Sequence, residues 1–233
     1  HPRDGEKIGN TRFERALSLA RFLVGDEFRR VRTVAYLPQS VDGHAVLPVL
    51  ACEEIVINPD AQFGAAGRGE TTSDATMRAA YREMAERRRT VPIPIALGML
   101  DPSLSVVEAQ LVGGGTRYVL QEEIGELRGE VEIWKESTLV PAGDLLTLTG
   151  RETRVKPGFA SQLAVDRREL ADLLHVSPDS IRENVVTQQA WQAIRVDLRG
   201  RTTSRAVDEV ARSIHDVERT ESANLVCLQI DSP

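Results

Sequence analysis

The sequence is poor in aromatic residues, in cysteine and in long apolar runs, and each shortage excludes a class of protein. Aromatic residues make up 4% of the 233 residues, which is too few for a base-stacking surface that would bind single-stranded nucleic acid. A formal net charge of -6 also opposes contact with a phosphate backbone. We therefore expect no nucleic-acid partner.

Cysteine occurs twice, at Cys52 and Cys227, each within an apolar run. Free cysteine packs as a small hydrophobic side chain, which favours two buried thiols; a disulfide between them stays open, because its geometry cannot be read from sequence. No run of about 18 apolar residues occurs, so we expect no transmembrane segment in this chain. No signal peptide opens the chain, and its first residue is His1 rather than Met, which predicts a processed or excised piece; any anchor or signal would lie outside it.

The composition that is present belongs to an ordinary globular protein. Hydrophobic residues make up 41% of the chain and charged residues 27%, so it can bury a core as one large or two small domains. With so few aromatic residues, that core should consist mainly of Leu, Val, Ile and Ala.

Residues 33–67 form the stretch around which the rest of the chain is organised. Residues 33–37 predict a short strand, residues 39–43 a polar turn, and residues 45–52 a helix that is apolar on every face and therefore buried. Residues 55–57 predict a second strand, and the Phe-Gly-Ala-Ala-Gly sequence at 63–67 predicts a tight turn. Strand-turn-helix corners of this kind hold sites in α/β proteins.

The remaining segments show clear periodicity. Helices are predicted at 11–24, 74–89, 93–100, from 150 onward, 167–174 and 204–219, and strands at 106–111, 116–121, 131–134, 145–148, 193–198 and 224–230. We expect the three strands between 106 and 134 to form a small meander. Thr72 or Ser73 is expected to cap the helix at 74, Thr149 the helix at 150, and the arginines at 87–89 to form a solvated helix end.

The pattern changes towards the end of the chain. Residues 1–175 predict a core, residues 176–190 a linker, and residues 191–233 a strand-helix-strand unit with parallel strands. The fold class predicted is α/β, with a parallel sheet, flanking helices and the small β meander.

Three separated phrases resemble one superfamily. Residues 33–67 resemble the core of the ClpP and crotonase superfamily, and residues 94–103 (PIALGMLDPS) and 143–160 (GDLLTLTGRETRVKPGFA) are similar to segments of NfeD-type membrane-bound serine proteases and signal peptide peptidase A. The final unit is similar to the opening strands of the same fold. The resemblance therefore implies either a piece of a tandem repeat or a permuted single domain, and we favour the permuted domain.

The resemblance also locates the expected active site. The family's nucleophile position falls on Gly43, which has no side chain for attack, and no lysine base occurs between residues 61 and 134. These two losses predict a catalytically degenerate serine protease homologue, a pseudoenzyme that binds a peptide or protein segment or acts as a scaffold. An active serine peptidase using Ser40 and His44 is the alternative, although turn serines commonly form turns and His44 can simply fill the helix start.

The crotonase branch gives a third hypothesis, an enzyme acting on an acyl-CoA thioester. There the glycine at position 43 would supply an oxyanion N–H, and Glu70 is the carboxylate nearest the expected position of the acid. In every version the binding residues implied are Gly43, Ala45, Phe63 and Gly64. No metal site or cofactor is predicted, and the resemblance implies a homo-oligomer whose parent protein is membrane-associated or extracytoplasmic.

Overall fold

The protein is a mixed α/β structure. The computed structural model describes residues 12–156, 158–159, 161–178, 181, 193–199, 205, 208–209, 212, 216 and 225–231. The chain divides into two compact units, His1–Pro178 and Asp179–Pro233. The predicted linker at 176–190 falls largely outside the described residues.

The first unit contains both helices and strands. The α-helices are α1 (Phe13–Leu23), α2 (Val46–Leu50), α3 (Ala75–Arg88), α4 (Ile93–Leu100), α5 (Ile124–Glu130), α6 (Gly150–Val155) and α7 (Arg167–Leu174). The strands are β1 (Val34–Leu37), β2 (Glu54–Ile57), β3 (Gln62–Gly64), β4 (Val106–Leu111), β5 (Thr116–Leu120), β6 (Ile133–Val140), β7 (Thr147–Thr149) and β8 (Ser161–Leu163), followed in the second unit by β9 (Ala193–Arg199) and β10 (Leu225–Asp231).

A parallel sheet of strand order β1-β2-β8 lies at the centre of the first unit. Its middle strand, β2, is an Ile-Val-Ile run whose three side chains are fully buried, as expected when helices cover both faces of a parallel sheet. Helices α1 to α4 contribute most of the remaining core, which is built from Leu, Ile, Val, Met and Ala with few aromatic rings.

The predicted helix at 45–52 forms in two parts. A short 3₁₀ turn at Gly43–Ala45 leads directly into α2, whose residues are buried apart from the partly exposed Pro48. The apolar composition on every face therefore correctly predicted a helix inside the protein.

Strands β4, β5 and β6 form an antiparallel sheet whose order, β5-β4-β6, is not that of a meander. The predicted meander is wrong because α5, which the sequence patterns did not indicate, carries the chain across from β5 to the far side of β4. A small cluster of Val107, Ala109, Ile124 and Leu127 packs α5 against β4.

The N-terminal caps of α6 and α3 were both predicted from the sequence. Thr149 begins α6 with a capping box, in which its hydroxyl and the Glu152 side chain satisfy each other's backbone N–H groups, as predicted. Helix α3 is capped instead by Asp74, whose carboxylate accepts from the Met77 N–H at 2.7 Å. The assignment of Thr72 or Ser73 to this role is therefore wrong.

The second unit contains the predicted parallel pair, with β9 and β10 aligned from Ala193–Leu225 to Arg199–Asp231. The helix predicted at 204–219 lies mainly outside the described residues, although Arg205, Asp208, Glu209, Arg212 and Asp216 are helical. Cys52 is a free, buried thiol, and burial raises its pKa. The side chain of Cys227 lies outside the described residues.

Candidate functional site

The corner that follows β1 is held in place by hydrogen bonds to β3. The Val41 N–H donates to the Gln62 carbonyl at 2.8 Å, and the Gly64 N–H donates to the Val41 carbonyl at 3.2 Å. The chain between β1 and α2 is therefore fixed as a ledge beside β3, at the carboxyl end of the parallel strands. This is the edge of the sheet at which α/β proteins bind ligands.

Gly43 occupies a left-handed backbone conformation at the start of the 3₁₀ turn, with φ of 58°. No heavy atom lies within 4 Å of the position that a Cβ would take, so the backbone angle rather than crowding favours glycine. Its N–H donates to the Ala65 carbonyl at 3.1 Å. Because that donor is already used within the protein, the geometry does not support the oxyanion role that the crotonase hypothesis gave to Gly43.

Ser40 is an exposed turn residue. Its Oγ accepts the Gln62 N–H at 2.9 Å, which ties the turn to β3. The two nitrogens of the His44 ring have other partners, described next. The structure therefore places Ser40 and His44 on one ledge, with each of these hydrogen bonds made to a residue other than the two themselves.

His44 is 2% exposed and lies between a phenol and a carboxylate. Its Nδ1 is 3.2 Å from the Tyr81 hydroxyl, and its Nε2 is 3.0 Å from Glu70 Oε1. The ring of Phe13 meets the imidazole edge-on, with ring centres 5.2 Å apart. The His44 side chain thus joins α1, α3 and the loop after β3, a structural role larger than the filling of a helix start.

The direction of these hydrogen bonds follows from Glu70, because a carboxylate oxygen can only accept, so Nε2 carries a hydrogen and donates to it. In the neutral imidazole Nδ1 then accepts from the Tyr81 hydroxyl. Burial, with a further contribution from the charge of Glu70, raises the pKa of the Tyr81 phenol, which keeps its hydrogen. The arrangement orients one carboxylate oxygen of Glu70 through a buried imidazole, which is how proteins position a carboxylate that must act at a fixed place.

The other predicted binding residues lie in the 3₁₀ turn and in β3. Ala45 is partly exposed at the end of the 3₁₀ turn. Phe63 is fully buried and packs edge-to-face on Phe159, with ring centres 6.1 Å apart. Gly64 is buried, and a Cβ there would lie 2.3 Å from the Leu146 carbonyl oxygen. Phe63 and Gly64 therefore shape the corner from inside the core.

A cavity of about 330 Å³ opens beside the Glu70 carboxylate. Its walls are the loop that follows β3, the first turns of α3 and the turn after α4. At its far side Asp101, 3% exposed, accepts from Arg78 at 2.8 Å and from the Ser103 hydroxyl at 2.7 Å. The site therefore consists of the ledge at Gly43, the His44–Glu70 pair and this polar cavity.

Sequence reasoning named His44 and Glu70 separately but did not predict their contact, and it missed Tyr81 and Asp101. Tyr81 belongs to a helix 37 residues further along the chain, and no spacing rule links such positions. The sequence feature that could have drawn attention to Tyr81 is its residue type. The whole chain has only 3 tyrosines, and a buried phenol needs a hydrogen-bond partner.

In the described part of the chain, no group of three or more His, Cys, Asp or Glu side chains is placed to hold a metal ion. No helix among the same residues combines the length and the apolar character needed to cross a bilayer. No protein-family model, curated protein or solved structure matches this chain. The family resemblance therefore remains a prediction from the residues.

Proposed function

We propose that this chain is a ClpP-class, NfeD-like serine protease homologue that does not cleave peptides and binds a peptide or protein segment at the ledge beside Gly43. The proposal is carried by the identity and contacts of the residues between β1 and α2. Glycine stands where the nucleophile would be, and the nearby Ser40 hydroxyl accepts a backbone N–H of β3 at 2.9 Å. An acyl-transfer enzyme needs a nucleophile within reach of a base, but Gly43 has no side chain, and both His44 ring nitrogens contact residues other than Ser40.

The parallel sheet, the buried helix after the corner and the ledge are compatible with the ClpP and crotonase fold. A ledge beside a short strand suits an extended chain, which can be held by backbone groups. The proposal includes self-association and a parent protein that is membrane-associated or extracytoplasmic. Fractionation of cells that produce the protein from its own gene tests the location, and recovery of all of it in the cytosolic fraction would contradict that part.

Absence of protease chemistry is tested with a fluorophosphonate probe and a mixed set of fluorogenic peptides. We expect no labelling and no cleavage above that of heat-denatured protein, and no difference between the wild-type chain and Ser40→Ala. Labelling that is strong in the wild type and lost in Ser40→Ala would overturn the proposal and favour the active serine peptidase.

The His44–Glu70 pair favours a second candidate, an acid–base enzyme of the crotonase type. Glu70 follows the glycine turn, as the acid of that branch does, and His44 orients it at 3.0 Å. A positioned carboxylate can take or deliver a proton. The test is hydration of a short enoyl-CoA thioester, measured as the loss of the thioester's ultraviolet absorbance. The binding-domain proposal predicts no turnover; turnover that Glu70→Gln abolishes would replace it with the enzyme.

A further inference from the structure

The cavity beside Glu70 has the size of a pocket for one side chain. Its volume of about 330 Å³ lies at the lower end of the range of roughly 300–1,000 Å³ for small-molecule pockets. It is linked to the ledge through His44, which follows Gly43 in sequence and whose Nε2 is 3.0 Å from Oε1 of the lining residue Glu70.

The charges that line the cavity do not cancel. Arg78 and Asp101 form an ion pair at 2.8 Å, and the remaining ionisable residue of the lining is Glu70. The formal charge of these three side chains sums to one negative charge. A cationic group is therefore favoured in the cavity, and a second carboxylate is disfavoured.

Glu70 is held so that part of its carboxylate can accept from a ligand. His44 Nε2 donates to Oε1, while the Glu70 side chain stays 33% exposed and lines the cavity. Thr71 and Thr72, which carry hydroxyl groups, belong to the same lining. An ammonium group has three donors and no acceptor, so a carboxylate oxygen and neighbouring hydroxyls match it.

The lining also includes apolar residues. Leu100 and Pro102 line the cavity together with the bare backbone of Gly67. Lysine places its methylene stem along apolar surface while its charged end reaches polar groups. The combination of an apolar wall and one unbalanced carboxylate is what a lysine side chain requires.

We propose that this cavity is a specificity pocket for a lysine side chain of the bound peptide, with Glu70 as the acceptor of its ammonium group. The inference rests on the proposed binding function and adds the class of ligand. It assigns His44 a positioning role, in which the imidazole fixes the Glu70 carboxylate for recognition.

The test compares peptide libraries that differ only in one central residue. Libraries with random flanks carry lysine, Nε-acetyl-lysine, norleucine or glutamate at the centre, and binding of the labelled full chain is measured near neutral pH. We expect the lysine library to bind about tenfold more strongly than the other three, since a charged hydrogen bond supplies roughly that factor. Acetyl-lysine keeps the stem and loses the charge, so it isolates the ammonium group.

Two variants complete the experiment. Glu70→Gln keeps an oxygen that can accept from His44 and removes the charge, so the preference for lysine over Nε-acetyl-lysine and norleucine should disappear, and the glutamate library should bind more strongly than it does to the wild type. Glu126→Gln is the matched control, because Glu126 is an exposed residue of α5. Circular dichroism verifies that both variants are folded.

The outcomes separate the two proposals. Binding of all four libraries with equal strength, in the wild type and in Glu70→Gln, would overturn the lysine pocket and leave the binding domain in place. A lysine preference that survives Glu70→Gln would also overturn the pocket as assigned. Failure of every library to bind would overturn the binding-domain proposal itself.

Discussion

Asp101 shows how one side chain can be fixed by its hydrogen bonds. Burial by itself would raise its pKa, but side-chain hydrogen bonds from Ser73, Ser103 and Arg78, together with the Ser103 N–H, outweigh that effect and lower the pKa from 3.8 to about 2. Each of these donors stabilises the ionised form. The carboxylate therefore pins the turn after α4 to the start of α3 and closes one end of the cavity.

The lowered pKa of Asp101 has a consequence for acid stability. A carboxyl whose pKa is lower in the folded than in the unfolded protein stabilises the fold above its unfolded pKa, and the stabilisation is lost as the pH falls through the folded pKa. We expect Asp101→Asn to lower the free energy of unfolding at neutral pH by about 2 kcal/mol. The difference from wild type should shrink between about pH 4 and pH 2, as measured by urea unfolding at a series of pH values.

Asp60→Asn is the matched control for Asp101. The side chain of Asp60 is 79% exposed and pairs with Arg151 on the surface, so its replacement should change the free energy of unfolding by less than about 1 kcal/mol. Equal effects of the two substitutions at all pH values would contradict the role given to Asp101.

At the scale of elements, Arg88 joins the ends of three helices. Its guanidinium donates to the Leu23 carbonyl at 2.7 Å, to the Ala51 carbonyl at 2.8 Å and to Glu53 at 2.8 Å. These carbonyls end α1 and follow α2, where backbone acceptors lack partners within the helix. The expectation that residues 87–89 form a solvated helix end is wrong for Arg88, whose side chain is 16% exposed.

We expect Arg88→Ala to destabilise the protein by roughly 3 kcal/mol, because it leaves two partly buried carbonyl groups without donors. Arg87→Ala is the comparison: Arg87 is 55% exposed and pairs with Glu83 one turn earlier, so its loss should cost about 0.5 kcal/mol. Chemical unfolding of both variants provides the measurement, and equal costs would refute the role of Arg88 in joining the helices.

The turn after β3 approaches the end of α4 so closely that only glycine fits. A Cβ on Gly67 would lie 2.1 Å from the Leu100 carbonyl oxygen, and backbone cannot move aside as a flexible side chain can. Gly67→Ala should therefore cost about 3 kcal/mol. Gly125→Ala in α5, where no atom lies within 4 Å, should instead stabilise by up to about 1 kcal/mol. Urea unfolding that shows Gly67→Ala to be neutral would contradict this packing.

At the scale of the whole molecule, two sheet ends favour association with another copy. Among the strands that the structure describes, β1 and β6 are end strands of their sheets, and Trp134 on β6 is 64% exposed. Unpaired strand edges and exposed large apolar groups are features that proteins commonly cover. The family resemblance predicts the same outcome.

We therefore expect light scattering to give a mass that is a multiple of 25.7 kDa and that is retained on dilution. A single species at the monomer mass over the whole concentration range would contradict self-association. The substitution Trp134→Glu probes the β6 edge. We expect it to shift the distribution towards monomer, since it places a charge in any apolar contact there.

Local elements with strong periodicity could be predicted from the sequence. Helices α4 and α7 and strand β4 begin and end where the apolar spacing indicated. Burial of one face, or of all faces, of such an element requires apolar residues at regular positions that can be read in the sequence. Strand β6 was predicted too short, as 131–134, because its exposed residues from Trp134 to Thr138 lack alternation. Helix α5 was missed altogether.

By itself the sequence determined the α/β class and the buried helix after β1, since both follow from residue type and local order. Tertiary structure alone decided that His44 meets Glu70 and Tyr81, that Asp101 closes a cavity beside them, and that Ser40 serves the turn. These contacts join residues 22 to 37 positions apart. Residues so far apart along the chain are brought together when the helices pack against the sheet. No local sequence pattern predicts that packing.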